Sequence, residues 1–204
     1  MTSMSEAPPA ERPAGLRERK KARTRAAIRE HALRLFREQG YHATTVEQIA
    51  EAAEVSPSTF FRYFPTKEDV VLQDDFDLLG MEAFEAQPPG LSPVAAFRAG
   101  AAQMVAMLTP EELARFRETT MLTFTVPEVR ARALDEFART IDEIAAAVAR
   151  RTGRAPDDFA VRNVAGALIG VIMSATMPWS EGPNQDMFQR IDAALAHLEA
   201  GLPL

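Results

Sequence analysis

The sequence predicts an all-α protein of about nine helices, a small N-terminal domain followed by a larger C-terminal one. Three observations predict it. Apolar residues recur at helical spacing almost throughout the 204 residues. No run alternates with period two, and neither Asn-Gly nor Asp-Gly occurs as a hairpin turn. Many of the 14 prolines stand where helices begin, a position at which a missing N–H costs nothing.

Taken in order, residues 1–15 are polar and proline-rich and are expected to be a disordered tail. The first helix runs from Arg17 or Lys21 to Gln39, with Ile28, Ala32, Leu35 and Phe36 on one face and Gly40 as its stop. The second spans Val46 to Ala53 behind a Thr45–Gln48 capping box, and its inner face is Val46, Ile49, Ala50 and Ala53. The third is short, Pro57 to Tyr63, with Ser56 as its cap and Pro65 behind it. A fourth follows Thr66 and runs without interruption to Ala86. Gln87-Pro88-Pro89-Gly90 is a loop. Ser92-Pro93 opens a fifth helix to Leu108, and Thr109-Pro110-Glu111-Glu112 a sixth to Phe124. Pro127 opens the seventh, which stops at Thr152-Gly153. Pro156-Asp157-Asp158 opens the eighth, to Met177, and Pro178 to Pro183 is a loop. The ninth runs from Gln185 to Ala200.

Composition removes whole classes of chemistry. There is no cysteine, so disulfides, thiol nucleophiles and Cys-based metal sites are excluded. His31, His42 and His197 are widely separated and show no metal-binding spacing, so neither metal nor cofactor is expected. There is no Gly-rich phosphate loop after a strand and no nucleophile–His–acid set, which argues against an enzyme. The N-terminus lacks the apolar region of a secretory signal. The longest apolar stretch, Val164 to Met177, is shorter than the roughly 20 residues that span a bilayer. A cytoplasmic protein without membrane partners is expected.

Net charge at first argues against a nucleic-acid partner, since 23 Lys+Arg stand against 29 Asp+Glu, a formal −6. Its distribution reverses that argument. Between Arg12 and Arg37 lie ten basic residues and only Glu18 and Glu30 as acids, a local +8 that leaves −14 for the rest. Such asymmetry suits a basic element on an acidic body; the alternative is a solvated helix face.

The second and third helices, joined by Ala53-Glu54-Val55-Ser56, form a helix-turn-helix, whose second helix can enter a major groove. A mini-core of Leu33, Phe36, Val46, Ile49, Val55, Phe60 and Phe64 supports them, leaving Ser58, Thr59, Phe61, Arg62 and Tyr63 outside it. Arg62 is the only cation between Ser56 and Phe64, and so the candidate for a bidentate guanine contact. Thr59 can bond a base or a phosphate, and Phe61 can pack on a thymine methyl. Phe61 and Tyr63 could equally be core aromatics, and Arg62 a solvated side chain. Arg17, Arg19, Lys20, Lys21 and Arg23 together look like an arm that contacts phosphates or a minor groove.

The run from Gly40 to Asp69 resembles the TetR family of bacterial transcriptional repressors. The likeness lies in Tyr41 after the glycine, in Thr45 with Ile49-Ala50, in Val55-Ser56 with Thr59-Phe60 and Tyr63-Phe64, and in Thr66-Lys67-Glu68. It covers about residues 16 to 75 and implies a DNA-binding domain over 16–65 and a ligand-binding and dimerisation domain over 66–204. It also implies phosphate contacts by Tyr63, Lys67 and Thr45, so the expected DNA set is Lys20, Lys21, Thr45, Ser56, Ser58, Thr59, Phe61, Arg62, Tyr63 and Lys67. The protein is then expected to be a homodimeric repressor, released from a palindromic operator on double-stranded DNA by a small effector. Activation is the alternative, as is an interaction module that no longer reads DNA.

The acidic body is rich in Phe and Met, which suits either an apolar cavity or an ordinary packed core. The candidate lining is Phe76, Met104, Leu108, Met121, Phe124, Phe137 and Ile141, with Thr120, Asn163 and Trp179 as polar anchors. An apolar or amphipathic effector is expected. The region of the sixth to eighth helices is also similar to an actinobacterial subgroup with acyl-CoA-like ligands, although no phosphate-binding motif accompanies it. Gly166 and Gly170, four apart, and the apolar face of Ile191, Ala194, Leu195 and Leu198 suit dimerisation through 157–177 and 185–200. Packing within one chain is the alternative.

Overall fold

The computed structural model describes residues 15–73, 76–177 and 186–204. All regular structure among them is helical. The elements are α1 (Leu16–Gln39), α2 (Val46–Ala52), α3 (Pro57–Tyr63), α4 (Asp69–Leu72), α5 (Phe76–Glu85), α6 (Pro93–Met107), α7 (Pro110–Thr125), α8 (Pro127–Thr152), α9 (Phe159–Thr176) and α10 (Met187–Glu199). The expected tail over residues 1–14, the loop at 178–183 and Trp179 lie outside the described residues. The chain divides into two compact units, one ending at Pro65 and the other beginning at Thr66.

In the first unit, α1 to α3 close on Ile28, Ala32, Leu33, Phe36, Tyr41, Ile49, Ala50, Phe60 and Phe64, all buried. Tyr41 packs on Phe36 with ring centroids 4.9 Å apart. Thr45 accepts from the Gln48 amide at 3.2 Å while its own amide donates to Gln48 Oε1 at 2.9 Å. Gln39, at the end of α1, also donates to that oxygen at 2.9 Å and to Thr44 Oγ1 at 3.1 Å, so the start of α2 is held from both sides. The turn into α3 is made by Glu54 at φ +53°, a left-handed conformation uncommon for a side-chain-bearing residue.

In the second unit, α5, α6, α8, α9 and α10 share a core that includes Phe84, Ala96, Ile144, Val148, Ala165, Leu168 and Leu195. Gly100 lets α6 approach α5 closely: a Cβ there would stand 2.7 Å from the Phe84 nitrogen. Gly153 ends α8 at φ +68°, and the amide of Arg154 reaches back to the carbonyl of Ala149. Polar clamps fix the rest. Arg98 on α6 grips Asp192 on α10 through two bonds of 2.7 and 3.1 Å. Arg151 donates to the carbonyls of Gln87, Pro88 and Leu91 and so ties down the α5–α6 loop. Arg132 reaches the fully buried Asp69 at 3.3 Å, which joins α8 to α4.

Two expectations need correction. The fourth helix is not continuous: α4 ends at Leu72, and Gln73 leaves helical geometry at φ −90°, ψ 69°. The eighth begins at Phe159 rather than at the proline before it, because the Asp158 carboxylate accepts from the amides of Ala160 and Val161 and sets the cap there. Helix α1 starts at Leu16, within a residue of the expected Arg17, so the basic run forms its first two turns.

Candidate functional site

The outward side of α3 begins with a hydroxyl cluster. Ser56 Oγ accepts from the Thr59 amide at 3.1 Å and lies 2.9 Å from both Ser58 Oγ and Thr59 Oγ1. Ser56 is therefore first of all the helix cap. Phe61 is 50% exposed and meets the buried Phe60 edge-on, so it is not a core aromatic. Arg62 is exposed, and its guanidinium lies 5.4 Å from the ring centre of half-buried Tyr63. Thr45 is exposed at the start of α2. Ser58, Thr59, Phe61 and Arg62 are thus presented together on a helix held from beneath by Phe60 and Phe64.

The basic run divides by role. Arg17, Arg19, Lys20, Lys21 and Arg23 are exposed on the first turns of α1, with Arg17, Lys20 and Lys21 on one side by helical spacing. Arg25 and Arg29 are spent inside, with guanidinium carbons 5.1 and 5.8 Å from the Phe64 ring centre. Arg34 pairs with Glu38 at 2.9 Å. Lys67 belongs to the second unit, where partial burial lowers its pKa against the opposing influence of Glu68 and Glu128.

The second unit encloses an apolar chamber of about 250 Å³, walled by α5 to α10 and the end of α4. An outer recess of about 470 Å³ adjoins it. Leu72, Asp77, Met81, Glu136, Thr140 and Glu143 line both. Phe76 meets Phe116 edge-on at 5.0 Å, and Phe116 meets Phe188 at 5.4 Å, forming an aromatic wall. Of the lining threonines, Thr119, Thr123, Thr140 and Thr176 donate to carbonyls of their own helices. Asp77 keeps solvent access through the recess. Its position among the walls still pushes its carboxyl above the usual carboxylate range, and neighbouring Glu143 adds to the effect.

Two family models match this chain. One, described as bacterial regulatory proteins of the tetR family, covers residues 28–73, and the other, described as the MftR C-terminal domain, covers 91–203. The chain belongs to the TetR family. It is a DNA-binding transcriptional regulator and not an enzyme. It is 29% identical over 191 residues to the putative mycofactocin biosynthesis transcriptional regulator MftR of Mycobacterium tuberculosis, across 90% of this chain and 93% of that one. It is 51% identical over 84 residues to the regulator TcmR of Streptomyces glaucescens, a match that spans 40% of this chain and 37% of TcmR. Among solved structures it resembles Thermus thermophilus FadR in complex with lauroyl-CoA, at 29% identity and a TM-score of 0.57, covering 88% of this chain and 95% of FadR. The fold alone is shared with SmeT of Stenotrophomonas maltophilia, at 21% identity and a TM-score of 0.59, over 87% and 89% of the two chains.

For this TetR-family chain the chamber gathers five of the expected ligand residues: Phe76, Met104, Thr120, Phe124 and Phe137. Thr120 makes no hydrogen bond among the described residues and remains open to a ligand. Four expectations need correction. Leu108 caps the end of α6, beyond the chamber. Met121 is 39% exposed, turned away from its neighbour Thr120 by the helical step of about 100°. Ile141 packs against the core beneath. Asn163 is exposed and donates to the carbonyl of Phe159 at 2.8 Å. Sequence reasoning also missed Asp77, Glu136 and Glu143. The signal was there, since Glu136, Thr140 and Glu143 follow helical spacing beside Ala133, Phe137 and Ile144. Charged residues at that spacing are usually assigned to a solvated face.

Proposed function

We propose that the protein is a homodimeric repressor whose α3 helices read the two halves of a palindromic operator, and whose chamber takes a small apolar or amphipathic effector that releases it. The observation that carries the DNA reading is the outward set Ser58, Thr59, Phe61 and Arg62 on a helix whose opposite side is fully buried. Arg62 is the base reader, with Thr59 and Phe61 beside it. Lys20, Lys21, Thr45, Ser56, Tyr63 and Lys67 position the domain on phosphates. Half-sites then stand about 34–36 Å apart.

The outward faces of α9 and α10 support the dimer. Beyond their own helix backbone, no atom of the described residues lies within 4 Å of a Cβ position at Gly166 or Gly170. Exposed Ser174 continues the α9 face, exposed Ala193 stands on α10, and exposed Ala200 follows its end. Helix α9 has the length and apolarity of a membrane span, with 28% of it buried within the chain. Its packing on α8 and α10 and its small-residue face suit a second copy of the chain, and a DNA-binding regulator works in the cytoplasm. The effector acts by favouring one of two forms, limited by the difference in its affinity for them. Val71 and Leu72 of α4 line the chamber, and the same short helix follows the first unit along the chain, so it is the natural lever.

Selection of bound sequences from random DNA tests the proposal. A palindromic consensus is expected, and a single unrepeated site would refute the paired reading. Arg62→Ala should then relax preference at one position of each half-site, with a loss of about 1–3 kcal/mol. Unchanged affinity and specificity would remove Arg62 as a base reader.

A further inference from the structure

We infer that the chamber selects an amphiphile whose polar end is a cation, seated against Asp77 and Glu143, and disfavours anionic chains such as acyl-CoA thioesters. The inference rests on the chamber being the effector site.

The charge pattern around the cavity carries it. No Lys, Arg or His is among the described residues that line the inner chamber. Its charged groups are Asp77, Glu136 and Glu143, and all three also line the outer recess. An alkyl chain inside the chamber would therefore place its head at this acidic rim. Glu136 already accepts from Arg139 one turn along α8. Arg150, the one cation among the described lining of the recess, already donates to Glu85. Asp77 and Glu143 make no hydrogen bond or ion pair among the described residues, and both line the recess and the chamber.

A cation brought between two such carboxylates relieves their repulsion and gains attraction to both. A carboxylate, or a coenzyme carrying several phosphates, meets the opposite field. Four of the five lining threonines are bonded to their own helices, which leaves the single hydroxyl of Thr120 against the acidic rim. The likeness to FadR with lauroyl-CoA extends to the fold of the unit, while the head-group end of this cavity has the wrong charge for that ligand.

Calorimetric titration of the full chain with ten-carbon probes below their micelle concentrations tests this, using decyltrimethylammonium, decanol and decanoate, with lauroyl-CoA added. Decyltrimethylammonium is expected to bind about tenfold or more tighter than decanol, and decanoate and lauroyl-CoA weaker than decanol. The Asp77→Asn, Glu143→Gln double variant should erase the advantage of the cation over decanol. Both replacements are nearly isosteric and solvent-accessible, and the wild-type ranking decides the matter even without them. Decanol binding with no advantage for the cation, or tighter binding of an anion, overturns the inference and leaves the chamber as effector site. Failure of every probe to bind overturns both.

Discussion

Replacing Gly100 with alanine should destabilise the second unit, although alanine is the better helix former. A Cβ at position 100 would lie 2.7 Å from the nitrogen of Phe84 and 2.9 Å from both the Phe84 Cα and the Ala83 carbonyl carbon. Ordinary contact distances are about 3.5–4.0 Å, so α5 and α6 must part locally by roughly 0.6–1 Å. Overpacking costs about 1–3 kcal/mol, and the upper part of that range applies because all three obstacles are backbone atoms with no rotamer to swing aside. Alanine returns about 1 kcal/mol in helix propensity. The net loss is about 1–2 kcal/mol, or a fall in Tm of roughly 2–8 °C for a domain of this size. Thermal unfolding followed by circular dichroism, with urea unfolding to check that the m-value is unchanged, measures it. A Tm at or above that of the wild type would refute the argument. Because Phe97, Ala101 and Met104 of α6 line the chamber, the same variant should also weaken probe binding.

Three further substitutions probe other links. Glu54→Gly relieves a left-handed conformation worth about 1–2 kcal/mol and adds about 0.5–1 kcal/mol of backbone entropy cost, so the first unit should gain a few tenths to about 1 kcal/mol; a lower urea midpoint would contradict this. At Gly166 and Gly170 a Cβ meets no obstacle among the described residues, so Gly166→Leu with Gly170→Leu should keep the secondary structure while sedimentation shows the dimer weakened; an unchanged dimer would place the interface elsewhere. Asp77→Asn tests the rim electrostatics through pH. Folded Asp77 holds its proton above the ordinary carboxylate range that governs the unfolded chain, so the native state binds more protons across that window and loses stability as pH rises through it. The variant should therefore be more stable than the wild type above that window and equal to it below; a difference that is the same at all pH values would refute the cause, which is burial first and the Glu143 charge second, with Glu136 and Arg150 also lining the recess.

Much of the fold was legible because local chemistry announces helix starts. Thr45 with Gln48 and Thr109 with Glu112 both form the reciprocal caps that their spacing predicts. The break at Gln73 was not legible, since Leu72 to Phe76 contains neither glycine nor proline. Pro156 misled because a proline can begin a turn as well as a helix, and the choice fell to the side chain two residues later. The Phe and Met content of the body points to Phe76, Met104, Phe124 and Phe137, which line the chamber, but content alone does not tell the chamber from the core beneath it, where Ile141 packs. Counting charges made Arg25 and Arg29 part of a DNA-seeking surface. Only packing shows them covering Phe64, which narrows that surface to the first turns of α1.

Those first turns have a consequence for order. Helix α1 opens at Gly15 with no side-chain cap, and Arg17, Arg19, Lys20, Lys21 and Arg23 crowd its start against the single acid Glu18. A helix begins with a partial positive charge, so these cations oppose the winding of the turns that carry them. A phosphate backbone laid against them removes that opposition and supplies acceptors for the uncapped amides. Contact with DNA would therefore tighten the helix as well as hold it, and part of the binding free energy would be drawn off to wind the end of α1.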